Sequence, residues 1–250
     1  MLEGRSVAVV VPAFREERLI ARMLARVPSA VDAIYVVDDA SDDRTLEQAR
    51  ALGDPRVHCL RHDTNRGVGA AIASGYREAL GAGHDVLVVM AGDDQMHPED
   101  LPRLAAPVIS GRADYAKGNR LSHPEAHRMP RLRRWGTRAL AWLTRTVSGL
   151  EVGDTQCGYT ALSARAARLL DLEGLWPRYG YPNDLLVMLS ARRLAVVDVQ
   201  VRPVYADERS GLRPWHALLI AGIILRRAWL ERRRARAERS ENELSAGRAA

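Results

Sequence analysis

Short apolar runs alternate with amphipathic stretches along most of the chain, and their two periods separate strands from helices. Residues 6–11 are a β-branched run ended by Pro12, and 15–27 then place Leu19, Ile20, Met23, Leu24 and Val27 at helical spacing. The alternation continues with a strand at 33–37, a helix at 42–52, a short strand at 56–60, a helix at 68–80 and a strand at 85–90. A helix over 98–109 opens with proline and carries Glu99 and Asp100 in its first turn, where the helix dipole favours acids. Residues 114–118 form a fifth strand. Strands interleaved with helices predict an α/β fold with a mostly parallel sheet flanked by helices.

The pattern then changes. Residues 121–130 (LSHPEAHRMP) hold two prolines and two histidines without an apolar face, which predicts a mobile loop of the kind that covers sites. A basic amphipathic helix spans 131–148, and 155–162 precede helices near 164–170 and 184–193 and a last strand at 195–201. A C-terminal amphipathic helix at 214–236 is apolar in its first half and arginine-rich in its second, and 240–250 are expected to be disordered. No internal repeat is present.

The chain of 250 residues is long enough for a full core without disulfide staples, and 47% apolar with 27% charged residues excludes a disordered or low-complexity chain. The longest apolar stretch, Ala217 to Leu225, is nine residues, against about 20 needed to span a bilayer. The first dozen residues lack a signal-peptide pattern, so a cytoplasmic location is expected. Cys59 and Cys157 are too few and too far apart for a disulfide framework or zinc cluster, and are expected to be buried thiols. The net charge of +6 is carried almost entirely by arginine, since Lys117 is the only lysine, with concentrations at 128–145 and 226–239. One phenylalanine and 5% aromatic residues leave few platforms for stacking bases. An anionic substrate or membrane surface fits this distribution better than nucleic acid.

Three strands end in polar clusters: Pro12-Ala13-Phe14-Arg15-Glu16, Asp38-Asp39-Ala40-Ser41-Asp42 and Ala91-Gly92-Asp93-Asp94-Gln95. Ligands of open α/β sheets bind outside the carboxyl ends of the strands, so these segments should line one crevice. Carboxylates gathered there repel one another unless a cation or hydrogen-bond donors offset them, and a hard divalent ion with a diphosphate does so economically. Asp38 and Asp39 also suit a helix cap near Asp42, and Asp93 and Asp94 an ordinary turn. The segment Asn65-Arg66-Gly67-Val68-Gly69 opens a helix whose N–H groups suit either a phosphate or tight packing.

The strings VVVPAFREE, IYVVDDASDDRT, NRGVGAAI, VVMAGDDQMHPEDLP, KGNRL, DTQCGYTALS and GYPNDLL, in this order, resemble the family 2 glycosyltransferases of GT-A fold, in particular those acting on dolichyl or polyprenyl phosphate. The resemblance covers about 7–212 and implies a Rossmann-like catalytic domain over 1–212; the residue pattern then gives an amphipathic basic helix at 213–236 and an expected disordered tail at 237–250. It implies that Pro12, Phe14 and Glu16 contact base and ribose, with Phe14 where the family usually has Tyr, that Asp38 and Asp39 bind the nucleoside, and that Asp39 hydrogen-bonds the base. The metal motif of the family, Asp-x-Asp followed by Gln, is here Ala91-Gly92-Asp93-Asp94-Gln95. The first carboxylate is missing, and Asp93, Asp94 and Gln95 remain as ligands for magnesium or manganese, with Asp93 also facing the donor.

The resemblance further implies that Arg120, Arg131 and Arg134 bind an acceptor phosphate, and that Gln156, Gly158 and Tyr159 form an acceptor-side turn. A lipid phosphate is already an anion and needs cations to position it more than a base. A hydroxyl acceptor would need a carboxylate to take its proton, with Asp184 and Asp154 as candidates. The arginines of 131–138 suit a solvated helix face as well. Trp215, Leu218, Leu219, Ile223 and Trp229 beside an arginine-rich end have the composition of an interfacial helix on anionic lipid, while packing on the core or in a homodimer is the alternative. The expectation is an inverting transferase at the inner membrane face, moving sugar from a nucleotide diphosphate to polyprenyl phosphate, with Asp93, Asp184 and Arg120 as catalytic candidates. The alternatives are transfer to a saccharide or small-molecule hydroxyl, a non-catalytic nucleotide-sugar binding protein, and an anionic-surface adaptor.

Overall fold

The computed structural model describes residues 1–204 and 214–249, with side chains at 1–204 and 216–237. One sheet holds β1 (Val7–Ala13), β2 (Ala33–Asp38), β3 (Val57–Arg61), β4 (Val86–Val89), β5 (Tyr115–Asn119), β6 (Thr160–Ser163) and β7 (Val196–Gln200). The helices are α1 (Ile20–Ala25), α2 (Thr45–Ala51), α3 (Val68–Gly81), α4 (Leu101–Ile109), α5 (Arg131–Ser148), α6 (Ala164–Leu169), α7 (Tyr181–Ala191) and α8 (Pro214–Ala249). The strand order is β3-β2-β1-β4-β6-β5-β7. Every pairing is parallel except those of β6, which runs against both β4 and β5.

Helices on both faces explain why the central strands read as unbroken apolar runs. In β1, Val7, Val9 and Val11 enter a core with Ile20, Leu24 and Leu104 of α1 and α4. Ala8 and Val10 point the other way, to Ile72 and Tyr76 of α3 and Leu185 of α7. The thiol of Cys157 is buried as expected and that of Cys59 is half-buried, burial raising the pKa of each.

Several elements start later than periodicity predicts, for a tertiary reason. The amides of Arg15, Glu16 and Glu17 donate to Ser41 Oγ at 3.0 Å, Thr45 Oγ1 at 2.7 Å and Asp43 Oδ2 at 3.3 Å. Arg15 also takes a left-handed φ of 59°. These cross-links hold 15–19 out of the helix, so α1 begins at Ile20. Residues 121–130 contain a short 3-10 turn (Pro124–Arg128) and bury Met129.

α8 continues past 236, where its sequence pattern ends the helix. Its Ile220 and Ile224 pack with Leu140 of α5 and Val187 of α7, and Ile223 and Arg227 are buried too. The apolar half of α8 is therefore largely a packing surface of the domain. The boundary at 212 lies outside the described residues, as does the side chain of Trp215. Among the described residues no helix is long and apolar enough to cross a membrane.

Candidate active site

The three polar strand ends meet as topology requires. Ala13 of β1 pairs with Asp38 of β2, and Val10 pairs with Val89 of β4. Past the strands, Asp39 N donates to Ala13 O at 2.9 Å and Gly92 N to Pro12 O at 3.2 Å. A Cβ on Gly92 would lie 3.6 Å from Glu16 Cγ, which puts Glu16 against the turn after β4. Phe14 is 39% exposed at the rim with the Arg15 guanidinium 5.1 Å from its ring centroid, while Pro12 is buried in the sheet.

The paired aspartates after β2 have different duties. Asp39 accepts from His62 Nδ1 at 2.7 Å, Arg66 N at 2.9 Å and Gly67 N at 2.7 Å, so it fastens the start of α3. His62 in turn meets Ser74 Oγ at 3.0 Å. Asp38 is fully buried, with Ser41 N 3.2 Å from Oδ1, but its Oδ2 has no hydrogen bond, only Arg61 at ion-pair range of 3.6 Å. A buried carboxylate oxygen left without a donor is a site that expects one. Both Asp39 oxygens thus already accept hydrogen bonds from the protein, whereas Asp38 Oδ2 is the acceptor without one.

The glycine-rich start of α3 is explained by packing. Gly69 N and Ala70 N donate to Pro177 O at 2.8 and 3.2 Å. A Cβ on Gly69 would collide with the Trp176 carbonyl, and Gly67 sits at φ 98°. Those amides are committed to the 176–178 loop rather than to a phosphate.

After β4, Asp94 does not join a metal set. It adopts a left-handed φ of 53° and is held by Arg22 Nε of α1 and Nη1 of Arg26, just past that helix, each at 2.8 Å. This removes Asp94 from the expected ligands and leaves Asp93 and Gln95, bridged by Gln95 N to Asp93 Oδ1 at 3.2 Å. Among the described residues no three His, Cys, Asp or Glu side chains gather in metal-binding geometry. One carboxylate and one amide oxygen form a hard donor set that fits magnesium or manganese when the diphosphate of a donor completes the shell.

The turn holding Gln156, Gly158 and Tyr159 lies beside this one. Tyr159 OH donates to His97 O at 3.0 Å, and a Cβ on Gly158 would lie 3.2 Å from Met96 Cε. Gln156 Nε2 donates to Asn183 Oδ1 at 2.7 Å, linking the turn to α7. Arg120, at the end of β5, forms a two-pronged pair with the fully buried Asp154, Nε at 2.7 Å and Nη2 at 3.1 Å. Burial alone would raise the Asp154 pKa, but the charge and hydrogen bonds of Arg120, with help from Lys117, bring it below the usual value. Lys117 is completely buried and donates to Cys157 O; burial lowers its pKa. Burial raises that of Asp198, whose Oδ2 accepts from Gly153 N and Asn119 Nδ2.

At the start of α5, Arg131 is exposed, whereas Arg134 is half-buried with its Nε enclosed and without an acceptor. Asp184 is not a catalytic base. It is fully buried on α7 and grips Arg227 of α8 at 2.8 Å through both oxygens while accepting from Trp176 N at 2.8 Å. Sequence reasoning missed Arg227 as its partner. The signal was there: an arginine in register with Ile220 and Ile224 on a buried helical stripe demands a buried acid. The Arg22–Asp94–Arg26 clamp likewise shows as two arginines four apart, one on α1 and one at its C-terminal cap.

With this geometry in hand, residues 8–165 match the model of glycosyl transferase family 2. The chain belongs to glycosyl transferase family 2. Relatives within and around the family include an undecaprenyl-phosphate mannosyltransferase of Micrococcus luteus, 33% identical over 78% of this chain and 82% of its own. Another is a UDP-N-acetylglucosamine–dolichyl-phosphate N-acetylglucosaminyltransferase of Methanococcus voltae, 26% identical over 82% of this chain and 88% of its own. The structure of glucosyl-3-phosphoglycerate synthase from Mycobacterium tuberculosis, in complex with Mn2+, UDP-glucose and phosphoglyceric acid, superposes with a TM-score of 0.68 at 24% identity, over 90% of this chain and 80% of that one. The likeness shows a common GT-A fold. As a family 2 member the protein is a glycosyltransferase.

Proposed function

We propose that this glycosyltransferase moves a sugar from a nucleoside diphosphate to a polyprenyl phosphate at the inner face of the membrane. The observation that carries the reading is a pair of buried polar atoms with opposite needs. Asp38 Oδ2 lacks a donor at the end of β2, and Arg134 Nε lacks an acceptor at the start of α5. A nucleobase N–H answers the first and a phosphate the second. The names of the Micrococcus and Methanococcus relatives support a lipid-phosphate acceptor.

In this reading Phe14 and Glu16 bracket the nucleoside, Asp38 accepts from the base, and Asp39 keeps α3 and the crevice wall in place. Asp93 and Gln95 would hold a divalent ion, which neutralises the departing diphosphate when bound. The manganese bound to the structural neighbour supports an ion of that kind. Arg120, Arg131 and Arg134 orient the acceptor phosphate. Its oxygen forms the new bond to the anomeric carbon as the bond to the donor diphosphate breaks, the electron pair leaving with the nucleotide and the configuration inverting. No base is required, which agrees with Asp154 and Asp184 both being engaged by arginines.

The test is a screen of nucleotide sugars with polyprenyl phosphate, with magnesium or manganese added and then chelated. A sugar-linked lipid phosphate, lost in chelator and in Asp93→Asn, is the expected result. Faster turnover with a saccharide or phosphoglycerate hydroxyl would overturn the acceptor, and full activity in excess chelator would overturn the role of the ion.

A further inference from the structure

One face of α5 reads Arg131, Trp135, Arg138, Trp142 and Arg145, at i, i+4, i+7, i+11 and i+14, so five residues share a single stripe. All five are exposed, and the two tryptophans are each 68% exposed, with Leu132 beside them at 77%. The opposite face buries Thr137, Leu140, Ala141 and Thr144. The helix contains no acidic residue, and Arg131, Arg138 and Arg145 have no ion pair among the described residues. Alongside, α8 exposes Leu218, Leu225 and Trp229 at i, i+7 and i+11, with Arg233 4.7 Å from the Trp229 ring. The two helices pack together through Leu140, Ile220 and Ile224.

We propose that the Arg-Trp-Arg-Trp-Arg stripe of α5 lies flat on an anionic lipid bilayer and is the principal membrane contact of this protein, with the exposed edge of α8 as a secondary one. Tryptophan rings have an apolar body for the acyl boundary and an N–H for the headgroups, and arginines between them meet lipid phosphates. Charge selects this occupant. A second copy would bring an equally cationic helix to the stripe, and a neutral protein face would leave three arginines unpaired. The stripe also borders a cleft of about 390 Å³ lined by Asn119, Leu121, Ser122, Arg138, Trp142 and Arg145. Asn119 and Leu121 flank Arg120, so the same helix face that meets the bilayer edges the approach to the end of β5.

The test is flotation of the full chain with vesicles of phosphatidylcholine alone or with 30% phosphatidylglycerol, without sugar donor. The wild type should float with anionic vesicles and be released by salt. Arg138→Gln with Arg145→Gln should weaken binding by on the order of 30-fold, at about 1 kcal/mol for each arginine near the surface. Trp135→Ala with Trp142→Ala should weaken it at least as much, while Leu225→Ser with Trp229→Ser should have a smaller effect. Brominated lipid should quench fluorescence in the wild type, and quenching should fall in Trp135→Phe with Trp142→Phe. Since these side chains are exposed, melting temperatures should be unchanged. No flotation, flotation unaffected by the α5 substitutions, a larger loss from the α8 pair, or binding of single-stranded nucleic acid in place of vesicles would overturn the proposal. The measurement is separate from the acceptor reading, because a chain that floats yet glycosylates no lipid phosphate refutes only the latter.

Discussion

Two buried arginine–aspartate pairs, Asp184–Arg227 and Asp154–Arg120, are chemically alike and differently placed. In the first, the arginine side chain is 2% exposed and the acid not at all, and the pair ties α7 to α8. In the second the acid is equally buried, but the arginine is 15% exposed at the end of β5, beside the acceptor-side turn. A closed pair can only hold elements together. A partly exposed one holds its cation in place at the surface of the strand end, so the same chemistry gives a structural clamp in one place and a candidate binding group in the other.

The largest effect should come from breaking the closed pair. Asp184→Ala takes from the buried Arg227 its two-pronged partner and leaves it only Glu231 at ion-pair range of 3.6 Å, at about 3 kcal/mol, or roughly 10 °C of melting temperature. Transfer per folded molecule should persist at low temperature, and Asp184→Leu with Arg227→Met should recover most of the stability with activity intact. Loss of catalysis in that folded double variant would return Asp184 to the active site. The open pair should behave differently: Arg120→Met with Asp154→Leu should also recover stability, yet lower transfer to the acceptor by more than tenfold while nucleotide affinity holds. Equal activity in both double variants, measured by initial rates, would erase the distinction.

A second contrast separates Asp38 from Asp39. Losing Asp39 strands the Arg66 and Gly67 amides, so Asp39→Ala should cost about 2–3 kcal/mol in a denaturant titration. Asp38→Asn should instead weaken nucleotide binding by about tenfold in calorimetry, near the lower bound for a charged hydrogen bond. The smallest effect concerns pH. The folded pKa of Asp154 lies below its unfolded value, so the unfolded chain takes up the proton first. Its stabilising contribution is full above the unfolded carboxylate pKa of about 3.9 and is lost as pH falls through the lower folded value. The melting-temperature gap between wild type and Asp154→Asn should therefore narrow below about pH 4; a gap independent of pH would mean that the charge of Asp154 contributes nothing.

Much of the fold is legible in the chain. The β-branched runs, the Pro98 helix start and the helix at 131–148 follow from period and capping, and the three polar strand ends converge because parallel strands end on one side of a sheet. Less of the site is legible. An aspartate at a strand end has the same appearance whether one of its oxygens lacks a donor, as in Asp38, or both are engaged by the start of a distant helix and its neighbours, as in Asp39. Asp94 resembled a metal ligand until Arg22 of α1 and Arg26 at its C-terminal cap met its carboxylate.

By itself the sequence determined the α/β architecture, the crevice at the carboxyl ends, the family and the cationic character of the surface, because periodicity and local residue chemistry are properties of neighbours along the chain. The tertiary structure alone decided that β6 runs antiparallel, that the apolar half of α8 covers α5 and α7, and which acids remain available to a ligand. The reason is physical: a carboxylate has a limited number of lone pairs, and many of the donors that occupy them, such as His62 on Asp39, Arg227 on Asp184 and Arg22 on Asp94, come from residues 23 to 72 positions away, a separation that only folding closes.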